Sequence, residues 1–115
     1  MKTRVFFAAL VMLVSVSSCA QLDPHPMDMT NAIREAKTSA DHAALARHYE
    51  AAAEAMRLKV KEHKKELKEY EKPYYGKRGQ DLKAHCHRLI NSYEQAVEAN
   101  MEMAELHRRM AAEAR

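Results

Sequence analysis

The sequence predicts an all-α fold, an antiparallel two-helix hairpin completed to a four-helix bundle by dimerisation. Two stretches, residues 38–72 and 81–112, contain neither proline nor glycine and are rich in Ala, Glu, Lys, Leu and Met, the strong helix formers. Pro73, Gly76 and Gly79 separate them, and a short connection between long helices makes them antiparallel neighbours. Dimerisation follows from the size of the core. Two helices bury only a two-sided strip, and the expected seam has neither Trp nor Phe, with Ala at several positions.

Residues 1–18 read as an address rather than as part of the fold. Lys2 and Arg4 flank the start of an apolar run from Val5 to Val16. At about 12 residues the run falls short of the roughly 20 that span a bilayer, and its basic leader marks a secretory signal. Val16-Ser17-Ser18-Cys19 then resembles a bacterial lipobox. That resemblance implies that Cys19 is lipidated, palmitate included, and becomes the first residue of the mature chain. Ala20, in place of Asp, implies sorting to the outer membrane, with the protein facing the periplasm. Loss of the signal removes two of the 19 basic residues and none of the 16 acidic ones, which leaves the mature chain almost neutral. No basic run is interleaved with aromatics, so nucleic acid is not an expected partner.

Residues 19–37 are expected to form the lipidated tether and a short helix. Pro24 and Pro26 hold the segment from Gln21 to Met29 extended, and residues 30–37 suit the helix. His25, Met27 and Met29 are ligand types that suit copper, although the segment reads first as a spacer.

Residues 38–115 are the helical hairpin. Thr38 followed by Asp41 resembles a capping box, with the acid at the positive end of the helix dipole. The inward stripe of the first long helix is expected to run His42, Leu45, Tyr49, Ala52, Met56, Val60, His63, Leu67, Tyr70. The step from Met56 to Val60 is four residues where the alternation of three and four expects three, which predicts a drift of the seam there. Lys59, Lys61, Glu62, Lys64, Lys65, Glu66 and Lys68 form a solvated charged face with pairs in helical reach. Gly76 and Gly79 are expected to bracket a polar turn from Tyr74 to Gln80, with the tyrosines folding back over the hairpin end and Asp81 capping the second helix.

In that second helix two heptad sets form one stripe. Leu82, Leu89, Ala96, Met103 and Met110 are apolar, whereas Cys86, Tyr93, Asn100 and His107 can hydrogen-bond or bind a metal. At one end of the permitted register Tyr70 faces Cys86, His63 faces Tyr93, Met56 faces Asn100 and Tyr49 faces His107. At the other end each polar residue faces an apolar one. In either case Tyr and His lie near enough to bond across the seam, satisfying groups that otherwise cost about 1–3 kcal/mol each when buried.

Two functions compete for this polar seam. One is a transition-metal site, copper or zinc, built from Cys86 with one or more of His85, His63, His42, His107 and Met103, serving envelope metal handling or stress sensing. No histidine pair has the i,i+4 spacing of a helical chelate, and His85, Cys86 and His87 point about 100° apart, so any site is assembled across helices or across a dimer. The other is a structural or protein-interaction role, in which Tyr49, Tyr70, Tyr93 and Asn100 with the histidines fix register and a homodimer partner. Once Cys19 is lipidated, Cys86 is the sole remaining thiol, which calls for an intermolecular disulfide, a metal or burial. Haem or another cofactor within the bundle is a further reading, and with no C-x-x-C-H motif only non-covalent binding remains open to it. Catalysis is not expected, since a Cys-His dyad needs an exposed thiol of low pKa and Cys86 falls on the buried stripe.

The lipobox followed by Ala40-Asp41-His42, His48-Tyr49-Glu50, His85-Cys86 and His107-Arg108-Arg109-Met110 resembles small proteobacterial periplasmic lipoproteins built on a helical hairpin. In size, shape and location the chain is also similar to periplasmic hairpins that sense or sequester heavy metals. No ligand motif is shared with those, so the resemblance implies location and architecture and assigns no binding residue.

Overall fold

A computed structural model describes residues 28–114. The expected signal, Cys19 and the expected tether through Met27 lie outside the described residues, as does Arg115. All regular structure among the described residues is helical: α1 (Met29–Glu35), α2 (Ser39–Tyr70), a 3₁₀ turn (Pro73–Tyr75) and α3 (Gly76–Glu113). α2 and α3 pack antiparallel along their length, and α1 leans on the start of α2. No described helix is long and apolar enough to cross a membrane.

Local chemistry sets each helix start. Asp28 accepts from the backbone N–H of Asn31 at 3.3 Å and begins α1. Thr38 Oγ1 accepts from the Asp41 N–H at 3.1 Å, while Asp41 accepts from the Thr38 N–H at 2.8 Å. The expected capping box is therefore closed on both sides. Hydrogen bonds to the carboxyl from the Lys37 N–H first, and then from Thr38, hold Asp41 down at about 2.

The turn is tighter than the sequence suggested. Gly76 and Gly79 do not bracket a loop, and Asp81 caps nothing, because α3 already starts at Gly76. Pro73 opens the 3₁₀ turn, and Gly76, at φ 54 and ψ −138, makes the one backbone reversal with positive φ among the described residues. That conformation is open to glycine and strained for other residues. Gly79 is helical and buried because α3 there passes close to the end of α2. A Cβ on it would stand 3.2 Å from Tyr75 Cβ and 3.4 Å from the Tyr70 carbonyl oxygen. Tyr70, Tyr74 and Tyr75 close over the hairpin end as a ring cluster, with centroids 5.3 Å apart for Tyr70 and Tyr75 and 4.5 Å for Tyr74 and Tyr75.

The seam itself is rotated from the expected one. On α2 the buried residues are His42, Leu45, Ala46 and Ala53, so Ala46 and Ala53 take the places expected for Leu45 and Ala52. With them the stripe keeps regular steps of four and three from His42 to Tyr70, and the expected drift at Val60 disappears. Leu45 is buried for a second reason, since it shares a groove with Ala32, Glu35 and Ala36 beside α1. On α3 the polar set is placed as expected, with Cys86 and His107 buried and Tyr93 and Asn100 half-buried. Its apolar companions are Ile90 and Ala104. Leu89, Met103 and Met110 are instead 42%, 37% and 44% exposed. The physical reason is helix approach: Ala53 and Ala104 are fully buried, and small side chains at these levels let the backbones come together. The larger Leu and Met side chains then fall on the flank.

Candidate functional site

The seam's polar residues are held in layers by the antiparallel register, which is the first of the two expected. His63 lies against Tyr93, with ring centroids 5.5 Å apart and planes 15° from parallel. Tyr49 lies against His107 at 5.6 Å and 7°. The same alignment sets Met56 opposite Asn100 and Tyr70 opposite Cys86. Two ion pairs across the helices flank it, Lys64 to Glu94 at 3.0 Å and Arg108 to Glu50. Exposed pairs of this kind contribute little stability but agree with the register.

Tyrosine and histidine meet across the seam by stacking, not by the hydrogen bond expected of them. Asn100 turns back on its own helix, its Nδ2 donating to the Ala96 carbonyl at 2.8 Å. His63 bonds within α2, through Nδ1 to Glu66 Oε2 at 2.6 Å. Among the described residues no buried side-chain nitrogen or oxygen lacks a partner.

The exception to this helix-by-helix satisfaction is the layer at the open end. His42 and His107 are each only 8% exposed, and their Nδ1 atoms are 3.2 Å apart. The ring centroids are 5.4 Å apart, with planes at 24°. The nitrogens are closer than the ring centres by roughly one ring diameter, so they lie on the facing edges of the two imidazoles. This is an N–H···N hydrogen bond, in which one Nδ1 donates and the other accepts. Burial first, and then the neighbouring His42, push the His107 pKa down.

The candidate metal ligands are otherwise dispersed. Cys86 is 4% exposed and free, and burial pushes its thiol pKa up, with Glu66 adding to the effect. A thiol held protonated in this way is a poor nucleophile. His85 sits on the exposed face and contacts Arg88, so it does not join Cys86. Met103 lies on the flank. Among the described residues no group of three or more His, Cys, Asp or Glu is placed to hold a metal. Sequence reasoning named His42 and His107 separately but missed their direct contact, and it missed Glu66 as the partner of His63. The i,i+3 spacing of His63 and Glu66 was the available signal for the second.

Fold and seam together define a two-helix hairpin of coiled-coil type with a stacked polar interior. The chain matches no protein-family model, no curated protein and no solved structure.

Proposed function

We propose that the protein is an outer-membrane-anchored periplasmic lipoprotein, held by lipid on Cys19, that works as an interaction module and pairs with a second copy of itself. The lipobox Val16-Ser17-Ser18-Cys19 supports the anchor, and the observation that carries the pairing is the stripe left over when the hairpin closes. Leu82, Leu89, Ala96, Met103 and Met110 keep heptad spacing on the flank of α3, and three of them are more than one-third exposed. Leu106, 47% exposed, widens the strip. A helix with three apolar heptad positions is suited to a bundle rather than to a two-stranded coil. A second copy supplies an identical stripe of matching period, and the near-neutral mature chain does not repel itself. The polar seam, satisfied inside one hairpin, sets the register on which that stripe depends.

The test is sedimentation of the wild-type protein and of a Leu89→Glu, Met103→Glu variant, with membrane fractionation of Cys19→Ser. A dimer that the double variant dissociates while it keeps its helix content, and release of the Cys19 variant from the membrane, are the expected results. A wild-type monomer at every concentration overturns the dimer, and unchanged membrane retention of Cys19→Ser overturns the anchor.

A further inference from the structure

The His42–His107 layer has a geometry that register-setting does not require. A stacked His and Tyr, as at His63 and Tyr93, fixes register equally well. Here two imidazoles instead point the same ring atom at each other across the helices, 3.2 Å apart and nearly out of water. In the neutral pair a single proton occupies the line between the nitrogens. Whatever else occupies that line must be a small cation satisfied by two collinear nitrogen donors.

We propose that His42 and His107 form a two-coordinate site for a soft monovalent cation, Cu(I) or Ag(I), bound between the two Nδ1 atoms in place of the shared proton. Both ions are closed-shell and accept linear coordination by two nitrogens. Zinc needs about four ligands, and no third His, Cys, Asp or Glu completes such a group among the described residues. Two metal–nitrogen bonds of about 2 Å each set the nitrogens about 4 Å apart. The pair therefore opens by less than 1 Å from its present separation, within reach of side-chain torsions. Charge points the same way, because burying one positive charge costs far less than burying two. Asp41, the residue before His42 in the chain, is a carboxylate held ionised by its capping hydrogen bonds and so places a negative charge beside it in sequence.

The protons balance without a co-reactant. The accepting histidine already carries its proton on Nε2. The donating histidine gives up its Nδ1 proton and takes one at Nε2 through solvent, so the cation enters two neutral imidazoles with no net proton release and no change of oxidation state. The Tyr49 ring, stacked on His107 at 5.6 Å, limits rotation of that imidazole. The bound cation links the two helices at the open end of the hairpin.

Silver nitrate titrated into the intact protein labelled with ¹⁵N-histidine tests this directly. Cys86→Ala serves as the background, so that the thiol does not compete. At one equivalent the Nδ1 resonances of two histidines are expected to shift together, with both rings becoming Nε2–H tautomers. His42→Gln and His107→Gln should each weaken silver binding at least tenfold. The wild-type seam signals give the result even where a variant folds poorly. Silver that leaves both Nδ1 resonances unmoved overturns the site. So does an affinity that falls less than threefold in both Gln variants, or binding that disappears with Cys86.

Discussion

His107 shows how one residue couples seam geometry to solution conditions. Burial and the facing His42 depress its pKa below the ordinary 6.5. The folded state therefore binds fewer protons at this residue than the unfolded chain does. The associated stability is fully present above pH 6.5, and it is lost as pH falls through the depressed folded value. Thermal unfolding followed between pH 8 and 5 should show Tm dropping on the acid side of that window, with a shallower drop in His107→Gln. Cys86 is the contrasting case. It is buried, and burial raises its pKa, which fits a structural position.

At the scale of elements, the two glycines of the hairpin end have different duties. Gly76 is there for its backbone: nothing lies within 4 Å of a Cβ built on it, yet φ is 54. Gly76→Ala should cost about 1–3 kcal/mol for a disfavoured conformation. Gly79 is there for space. In Gly79→Ala, crowding against Tyr75 opposes a helix-propensity gain of about 1 kcal/mol, so its net effect should be the smaller of the two. Urea denaturation of both variants checks the order. The same glycines mark where sequence reading stopped. Composition cannot distinguish a glycine that ends a helix from one that lets a helix pass close by, so the sequence around Gly79 reads as a turn although the residue is helical. The capping box at Thr38 and Asp41 was legible because it depends on neighbours in the chain. The polar heptad Cys86, Tyr93, Asn100, His107 was legible from its period alone. Its apolar companions were not, because hydrophobicity ranks Leu89 and Met103 above Ala104, while helix approach ranks them the other way. The His42–His107 contact required a register that two heptad patterns leave undecided.

Across the whole molecule, charge divides along the hairpin axis. Arg57, Lys61, Lys64, Lys65 and Lys68 border one surface groove towards the turn. Glu98, Glu102 and Glu105, with the single basic residue Arg109, border another, on α3 towards the open end. A second copy turned end for end sets opposite charges level with each other, which favours that arrangement over a parallel one. Most of these groups are exposed, so the preference is screened by salt. The proposed dimer should accordingly weaken about threefold as ionic strength rises beyond the physiological range, read by sedimentation equilibrium. A dimer that tightens in salt would mark the apolar stripe as its sole source.

The stacked layers also decide how the two helices can move along each other. Sliding α3 by one residue turns every ring away from its partner, so no intermediate alignment is comfortable. Even a shift of a whole heptad, about 10 Å along the axis, sets His63 opposite Cys86 or Asn100 instead of a ring. The turn closed by Pro73 and Gly76 has no slack to supply that length. Displacement is therefore notched rather than smooth, and only one notch is reachable. Under a pull along its axis the hairpin behaves as a strut of fixed length. It holds its tip at a constant distance from its base until the layers give way together.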